Sequence, residues 1–227
     1  MTRKRQSAAK QSSRFASRSV AKVEPLRIIG GCFGGRKLAY NGLRSVRPMK
    51  ERVREATFNL IGPSVKAMHA VDLFAGTGAM GLESLSRGAA EATMIERHFP
   101  TARTIVDNVA ALSVDEAAHV VTTDAFDWVR RMPDLGPAAW LVFCCPPYDF
   151  YVERVDEMLK LIERLVAGAP GGSILVVEAD QRFDFGRLPS PQDWDVRRYL
   201  PAFIGILRLT ASPSGTPSSG TSSSGSD

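Results

Sequence analysis

The stretch Val71-Asp72-Leu73-Phe74-Ala75-Gly76-Thr77-Gly78-Ala79-Met80-Gly81 constrains the fold of this chain more than any other. An apolar run ends in an acid, breaks into a glycine-rich turn and resumes at helical spacing, which is the pattern of strand, loop and helix. A loop without side chains can pass its backbone close to a ligand, and the helix after it offers unpaired N–H groups at its start. Gly76, Gly78 and Gly81 form a G-x-G-x-x-G pattern, a weak signal alone that its surroundings strengthen. After a helix over residues 81–87, the apolar run 92–95 ends in Glu96, close to the ~20-residue offset at which an acid accepts hydrogen bonds from ribose hydroxyls. A third run, 119–123, ends in Asp124. Any one of these acids reads equally as a surface residue at a strand end. Three at successive strand C-termini indicate a cofactor crevice, because open parallel sheets bind ligands there.

The flanking segments continue the alternation. Residues 26–29 and 36–40 border the glycine-rich 30–35, which suggests a small β-hairpin or extended arm. Residues 50–61 predict an amphipathic helix with Val53, Ala56, Thr57 and Leu60 on one face and Arg52, Glu55 and Asn59 on others, stopped by Gly62-Pro63 and packed beside the cofactor loop. Helices are predicted over 99–112 and 125–132, a buried fourth strand over 140–143, and a long helix over 151–166 with Val155, Leu159, Ile162 and Val166 inward. A fifth strand follows over 174–178. This βαβα order implies a Rossmann-like α/β fold with a doubly wound, mostly parallel seven-stranded sheet. Segments 194–200 and 203–209 lie too close for a crossover helix and are expected to pair as an antiparallel hairpin at the sheet edge. The chain thus divides into a disordered basic tail (1–24), an N-terminal hairpin and helix (25–64), an α/β domain (65–210) and a disordered Ser/Gly-rich tail (211–227).

Charge is unevenly spread along the chain. Residues 1–54 hold 15 Lys and Arg against Glu24 and Glu51, a net of +13, while the remainder carries 14 basic and 22 acidic residues, a net of −8. A basic tail alone is as readily a solubilising segment. Eight of those basic residues, however, fall in 23–54 among returning apolar residues, and a basic patch on a folded surface points to nucleic acid. Arg27, Arg36, Lys37, Arg44, Arg47 and Arg52 are the candidate phosphate-binding residues. At 227 residues, 44% hydrophobic and mean hydropathy −0.08, the chain can bury one α/β domain. No window suits a membrane span, and residues 1–22 lack the apolar stretch of a signal peptide. Cys32, Cys144 and Cys145 have no metal-ligand spacing, so no metal is expected, and a cytoplasmic monomer fits best.

The fourth strand ends in Cys144-Cys145-Pro146-Pro147-Tyr148. Two prolines after a buried strand fix an extended backbone whose carbonyls are expected to escape a helix turn and face the crevice. The adjacent tyrosine can stack on a flat substrate such as a nucleobase. A rigid strand-to-helix corner with a core tyrosine is the plainer reading.

Phe74-Ala75-Gly76-Thr77-Gly78 followed by Pro146-Pro147-Tyr148 resembles a class I S-adenosylmethionine-dependent methyltransferase acting on an exocyclic amine. With Arg27-Ile28-Ile29-Gly30-Gly31, Gly35-Arg36-Lys37-Leu38, Arg47-Pro48, Arg52-Val53-Arg54-Glu55, Phe58-Asn59 and residues 81–89, the chain resembles the RsmD family over about residues 26–210. That family methylates the N2 amine of a guanine in small-subunit ribosomal RNA. The resemblance implies that Asp72, Phe74, Gly76 and Gly78 shape the methionine side of the cofactor pocket, that Glu96 binds the ribose, and that Asp124 with Ala125 recognises adenine. It also implies that Cys145, Pro146, Pro147 and Tyr148 receive the flipped guanine, with ribosomal RNA or an assembling small subunit as partner.

Two positions depart from the family pattern. Cys145 stands where the family has Asp, and a thiol is a weak hydrogen-bond acceptor. Met49-Lys50 replaces a usual pair of threonines beside the cofactor helix. Cys145 also raises a rival reading, a pyrimidine C5 methyltransferase with a thiolate nucleophile. A second rival is a catalytically weak RNA-binding factor that keeps the fold, and a dehydrogenase is disfavoured because nothing resembles a hydride-transfer site.

Overall fold

The computed structural model describes residues 26–40 and 49–210. Both tails therefore lie outside the described residues, as do Arg44 and Arg47. Helix α1 (Glu51–Ile61) leads into β1 (His69–Asp72), α2 (Ala79–Ser86), β2 (Glu91–Ile95), α3 (Phe99–Leu112), β3 (Ala118–Val121) and α4 (Ala125–Arg130). Strand β4 (Trp140–Cys144) follows, then α5 (Phe150–Glu153), α6 (Val155–Gly168), β5 (Ile174–Asp180), β6 (Trp194–Tyr199) and β7 (Ala202–Arg208).

The strands form one seven-stranded sheet in the order β3-β2-β1-β4-β5-β7-β6. Strands β1 to β5 run parallel, while β7 lies antiparallel to both β5 and β6. The strand order reverses between β1 and β4, and in such a sheet the crevice outside the carboxyl ends at that switch point receives the ligand. Strands β1, β4 and β5 are covered on both faces and bury nearly every side chain, which is why they read as continuous apolar runs. Alternation then sorts them. Ala70, Phe143 and Val176 pack towards Phe58, Leu82 and Ile105, whereas Val71, Val142 and Val177 pack towards Phe126, Met158 and Ile162.

Several expected features take a different form. The helix expected over 151–166 is interrupted at Arg154, whose ψ of 30° ends α5 before α6 begins. The inward residues of α6 are Met158, Leu161, Ile162 and Leu165 instead of Val155, Leu159 and Val166, because the restart rotates the apolar stripe. Strand β3 stops at Val121, so Asp124 caps the next helix and does not end the strand. In α1 the buried face holds Val53, Arg54, Thr57, Phe58 and Ile61, with Ala56 and Leu60 only half-buried.

A buried ion cluster explains Arg54. Its side chain and that of Glu83 on α2 are both fully buried, with Nε 3.7 Å from Oε2. The Glu83 carboxylate also accepts the N–H groups of Ile29 at 2.7 Å and Gly30 at 2.8 Å, and Nε of Arg87 at 2.9 Å. One acid thus ties the N-terminal segment, α1 and α2 together. That segment makes a minimal hairpin, an antiparallel bridge between Arg27 and Lys37. Its glycine-rich tip rests on Ser86, at the end of α2 remote from the glycine loop, where the Cys32 N–H donates to Ser86 O at 2.8 Å.

Candidate active site

Asp72 closes β1 at 2% exposure. Its Oδ2 accepts one long bond, from the Gly81 N–H at 3.4 Å. Burial, reinforced by the nearby Glu96 charge, lifts its carboxyl pKa to about 7. A buried acid so sparsely supplied with donors suits a cationic ligand group, which is the test that an aminoacyl sulfonium cofactor must pass here. The glycine loop shows a division of labour. Gly78 has a φ of 74°, and a Cβ there would stand 2.8 Å from Cγ2 of Ile105; one on Gly81 would stand 2.6 Å from Cγ of Met94. Those two glycines let α2 approach the sheet and α3. Gly76 instead faces the acids, giving its N–H to Oε2 of Glu96 at 2.9 Å.

Glu96 is buried just beyond β2, and its Oε1 accepts the His98 N–H at 2.7 Å. Each carboxylate oxygen keeps a lone pair for a hydroxyl. Asp124 caps α4 through Oδ1, which accepts from Phe126 N–H at 2.8 Å and Asp127 N–H at 3.4 Å, leaving Oδ2 for an exocyclic amine. Ala125 beside it is buried. Phe74 joins Phe126 and Phe150 in a cluster with ring centroids 5.9 to 6.2 Å apart, and Arg154 lies 4.1 Å above the Phe126 ring. Sequence reasoning found Phe74 and missed Phe126 on α4 and Phe150 and Arg154 at the two ends of α5, since only the folded chain brings those two elements to the glycine loop.

The corner after β4 lies beside this crevice, because Asp72 pairs with Phe143 across β1 and β4. Burial pushes the Cys144 thiol up to about 12. Burial and the charges of Glu178 and Asp72 hold the Cys145 thiol well above the usual range. A thiol kept protonated is a poor nucleophile, which disfavours covalent attack on a pyrimidine. The expectation that the carbonyls here escape a helix turn needs correction. Pro147 O accepts the Phe150 N–H at 2.9 Å and Tyr148 O accepts the Tyr151 N–H at 3.1 Å, since α5 begins immediately. Among the described residues no hydrogen bond reaches the Pro146 carbonyl. The Tyr148 hydroxyl donates to Oε1 of Glu178 at 2.7 Å. Glu178 was missed, although the signal that found Asp72, Glu96 and Asp124, an acid closing an apolar strand, marks it equally.

A family model described as Conserved hypothetical protein 95 matches residues 26–198. The chain belongs to this family, the RsmD family. One relative, Ribosomal RNA small subunit methyltransferase D of Escherichia coli (strain K12), is 38% identical over 138 residues, 61% of this chain and 67% of the relative. The protein of the same name from Haemophilus influenzae is 34% identical over 186 residues, 81% of this chain and 92% of its own length. Among solved structures, yhhF from Escherichia coli superposes with a TM-score of 0.68 at 29% identity, covering 83% of this chain and 99% of that one. The Thermus thermophilus 16S rRNA N2 G1207 methyltransferase RsmC, solved with AdoMet and guanosine, shares the fold, with a TM-score of 0.63 at 16% identity, 82% of this chain and 49% of that one.

In this RsmD-family chain the basic residues singled out by charge fall at two places. Arg27 forms a two-pronged pair with Glu51 at 3.1 and 3.0 Å, and Arg36 donates to Ala111 O at 2.7 Å near the end of α3. Lys37 is exposed on the same hairpin. Arg52 instead donates to Leu200 O. Asp180 pairs with Ala202, so the β6–β7 turn stands at the crevice end of the sheet. Arg52, Arg198, Tyr199 and Leu200 line an open depression of about 470 Å³ there. Among the described residues there is no group of three or more His, Cys, Asp or Glu able to hold a metal, and no helix long and apolar enough to cross a membrane.

Proposed function

We propose that this protein transfers a methyl group from S-adenosylmethionine to the N2 amine of a guanine in small-subunit ribosomal RNA. The observation that carries the reading is the pairing of Asp72 with Phe143, which sets the glycine loop and the Cys145-Pro146-Pro147-Tyr148 corner side by side at the switch point. Membership of a family whose curated members are named small-subunit ribosomal RNA methyltransferases supports it.

Asp72 holds the cofactor's ammonium, Glu96 its ribose hydroxyls, and Asp124 with Ala125 its adenine. When bound, the cofactor supplies an electrophilic methyl on a cationic sulfur. Phe74 closes the aromatic side of the pocket. Tyr148 and the free Pro146 carbonyl receive the base, and the carbonyl accepts one N–H of its amine. A guanine N2 lone pair is delocalised into the ring, so accepting its N–H bonds in a fixed geometry localises it towards the methyl. Position and electrostatics do most of this work. The exposed cations of the hairpin and the depression at Arg52 bind RNA phosphates. With three unpaired cysteines among the described residues, a reducing cytoplasm suits the protein.

Nucleoside mapping of small-subunit RNA from cells with and without the gene tests the reading. The expected result is the loss of one N2-methylguanosine, restored by purified protein and S-adenosylmethionine. An unchanged map together with RNA binding would favour the binding-factor alternative.

A further inference from the structure

Strand alternation puts three reactive side chains on one face of the sheet. Asp72 pairs with Phe143 across β1 and β4, and Phe143 pairs with Val176 across β4 and β5. Two residues further on, Cys145 and Glu178 point to the same face as those partners, because side chains repeat with period two. Glu178 thus stands beside the thiol at the mouth of the crevice, with the Tyr148 hydroxyl on its Oε1 at 2.7 Å. Among the described residues its Oε2 has no hydrogen-bond partner. An acid 8% exposed, held by one neutral donor, has an acceptor to spare between Cys145 and Tyr148, the residues that flank Pro146-Pro147.

Building on the proposed function, we infer that Glu178 is the side-chain acceptor for the target amine, filling a role that Cys145 cannot. Its free oxygen takes one N–H of guanine N2 while the Pro146 carbonyl takes the other. As the N2 lone pair forms the new bond to the methyl carbon, the carbon–sulfur bond breaks with its electron pair going to sulfur. The surplus proton on N2 passes to Glu178 and from there to water, so charge balances with no further reactant. Tyr148 acts as a positioning residue that fixes the carboxylate. Burial raises the Glu178 pKa and the Tyr148 hydroxyl opposes that rise; a raised pKa makes a carboxylate a better proton acceptor. The other titratable groups that feel its charge are Cys145 after β4 and Tyr151 on α5, with Asp72 beyond Cys145 and Asp180 beyond Tyr148; β7 presents Ile204.

Methyl transfer to small-subunit RNA and nucleoside binding together test this. Glu178→Gln should lower kcat about a hundredfold with unchanged affinity for S-adenosylmethionine. Cys145→Asp in the Glu178→Gln background should recover about tenfold, whereas Cys145→Asp alone should gain little. Tyr148→Phe keeps the ring and should move the acid limb of the kcat profile to higher pH, since it removes the bond that lowers the Glu178 pKa. Equilibrium dialysis with S-adenosylhomocysteine present should show wild type preferring guanosine to inosine, which lacks the N2 amine, and Glu178→Gln losing most of that preference. Equal kcat in wild type and Glu178→Gln, or no rescue by Cys145→Asp, would overturn the assignment of Glu178 alone. No transfer by wild type would overturn the functional reading beneath it.

Discussion

Oε2 of Glu96 accepts the Gly76 N–H at 2.9 Å, so the acid proposed to hold the ribose also clamps the glycine loop. On the proposed reading, loop shape and cofactor binding depend on one side chain. Calorimetric titration of S-adenosylmethionine should show Glu96→Ala weakening binding by ~1.5–3 kcal/mol, the usual worth of hydrogen bonds to a charged acceptor. Glu96→Gln, which keeps an acceptor for Gly76, should lose less. Wild-type affinity in the Ala variant would remove Glu96 from the site.

Asp72 links binding to pH. Its folded pKa, raised to about 7, exceeds that of an unfolded carboxyl, so the folded protein binds more protons than the unfolded chain. Without cofactor, the stability this contributes is fully present below pH ~4 and is lost as pH rises through ~7, on the order of 4 kcal/mol in all. Asp72→Asn should flatten the fall in melting temperature between pH 5 and 8 and raise it at pH 8. The same change should weaken cofactor binding, because the ammonium loses its counter-charge. Parallel pH dependence in both proteins would contradict this.

The Arg54–Glu83 pair should govern global stability. Glu83→Ala leaves a buried guanidinium without its charge partner and frees two backbone N–H groups, and removal of one member of such a pair costs ~3–5 kcal/mol. Replacing both members with Met and Leu should cost less than Glu83→Ala. Urea melts of the three proteins decide it, and a loss below about 1 kcal/mol in the single variant would show the pair to be peripheral.

Salt should weaken RNA binding steeply. Neutralising Arg36, Lys37, Arg44 and Arg47 together should reduce the slope of log affinity against log salt by about 0.7 for each phosphate that is no longer neutralised, with cofactor binding intact. An unchanged slope, with a reduced one in Arg52→Ala/Arg198→Ala, would place the RNA path over the depression at the β6–β7 turn.

How much of this was legible in one dimension follows from the range of the interactions. The glycine loop, the acids at Asp72 and Glu96, the α3 boundaries and the antiparallel C-terminal pair are written in local pattern: apolar period, turn residues and linker length. The break at Arg154, the cap made by Asp124 and the turn that captures the Pro147 carbonyl depend on a few degrees of backbone that periodicity does not encode.

By itself the sequence determined the order of strands and helices, the parallel sheet and the family, because hydrophobic period and loop length admit few topologies and the motifs are contiguous. Only the tertiary structure decided what the side chains do together. Arg54 turned inward because Glu83 lies across from it on another helix, and Glu178 became a candidate for the site because strand register sets it beside Cys145, 33 positions earlier in the chain. Burial and pairing energies arise between residues distant in sequence, so the meaning of those charges appears only once the chain is folded.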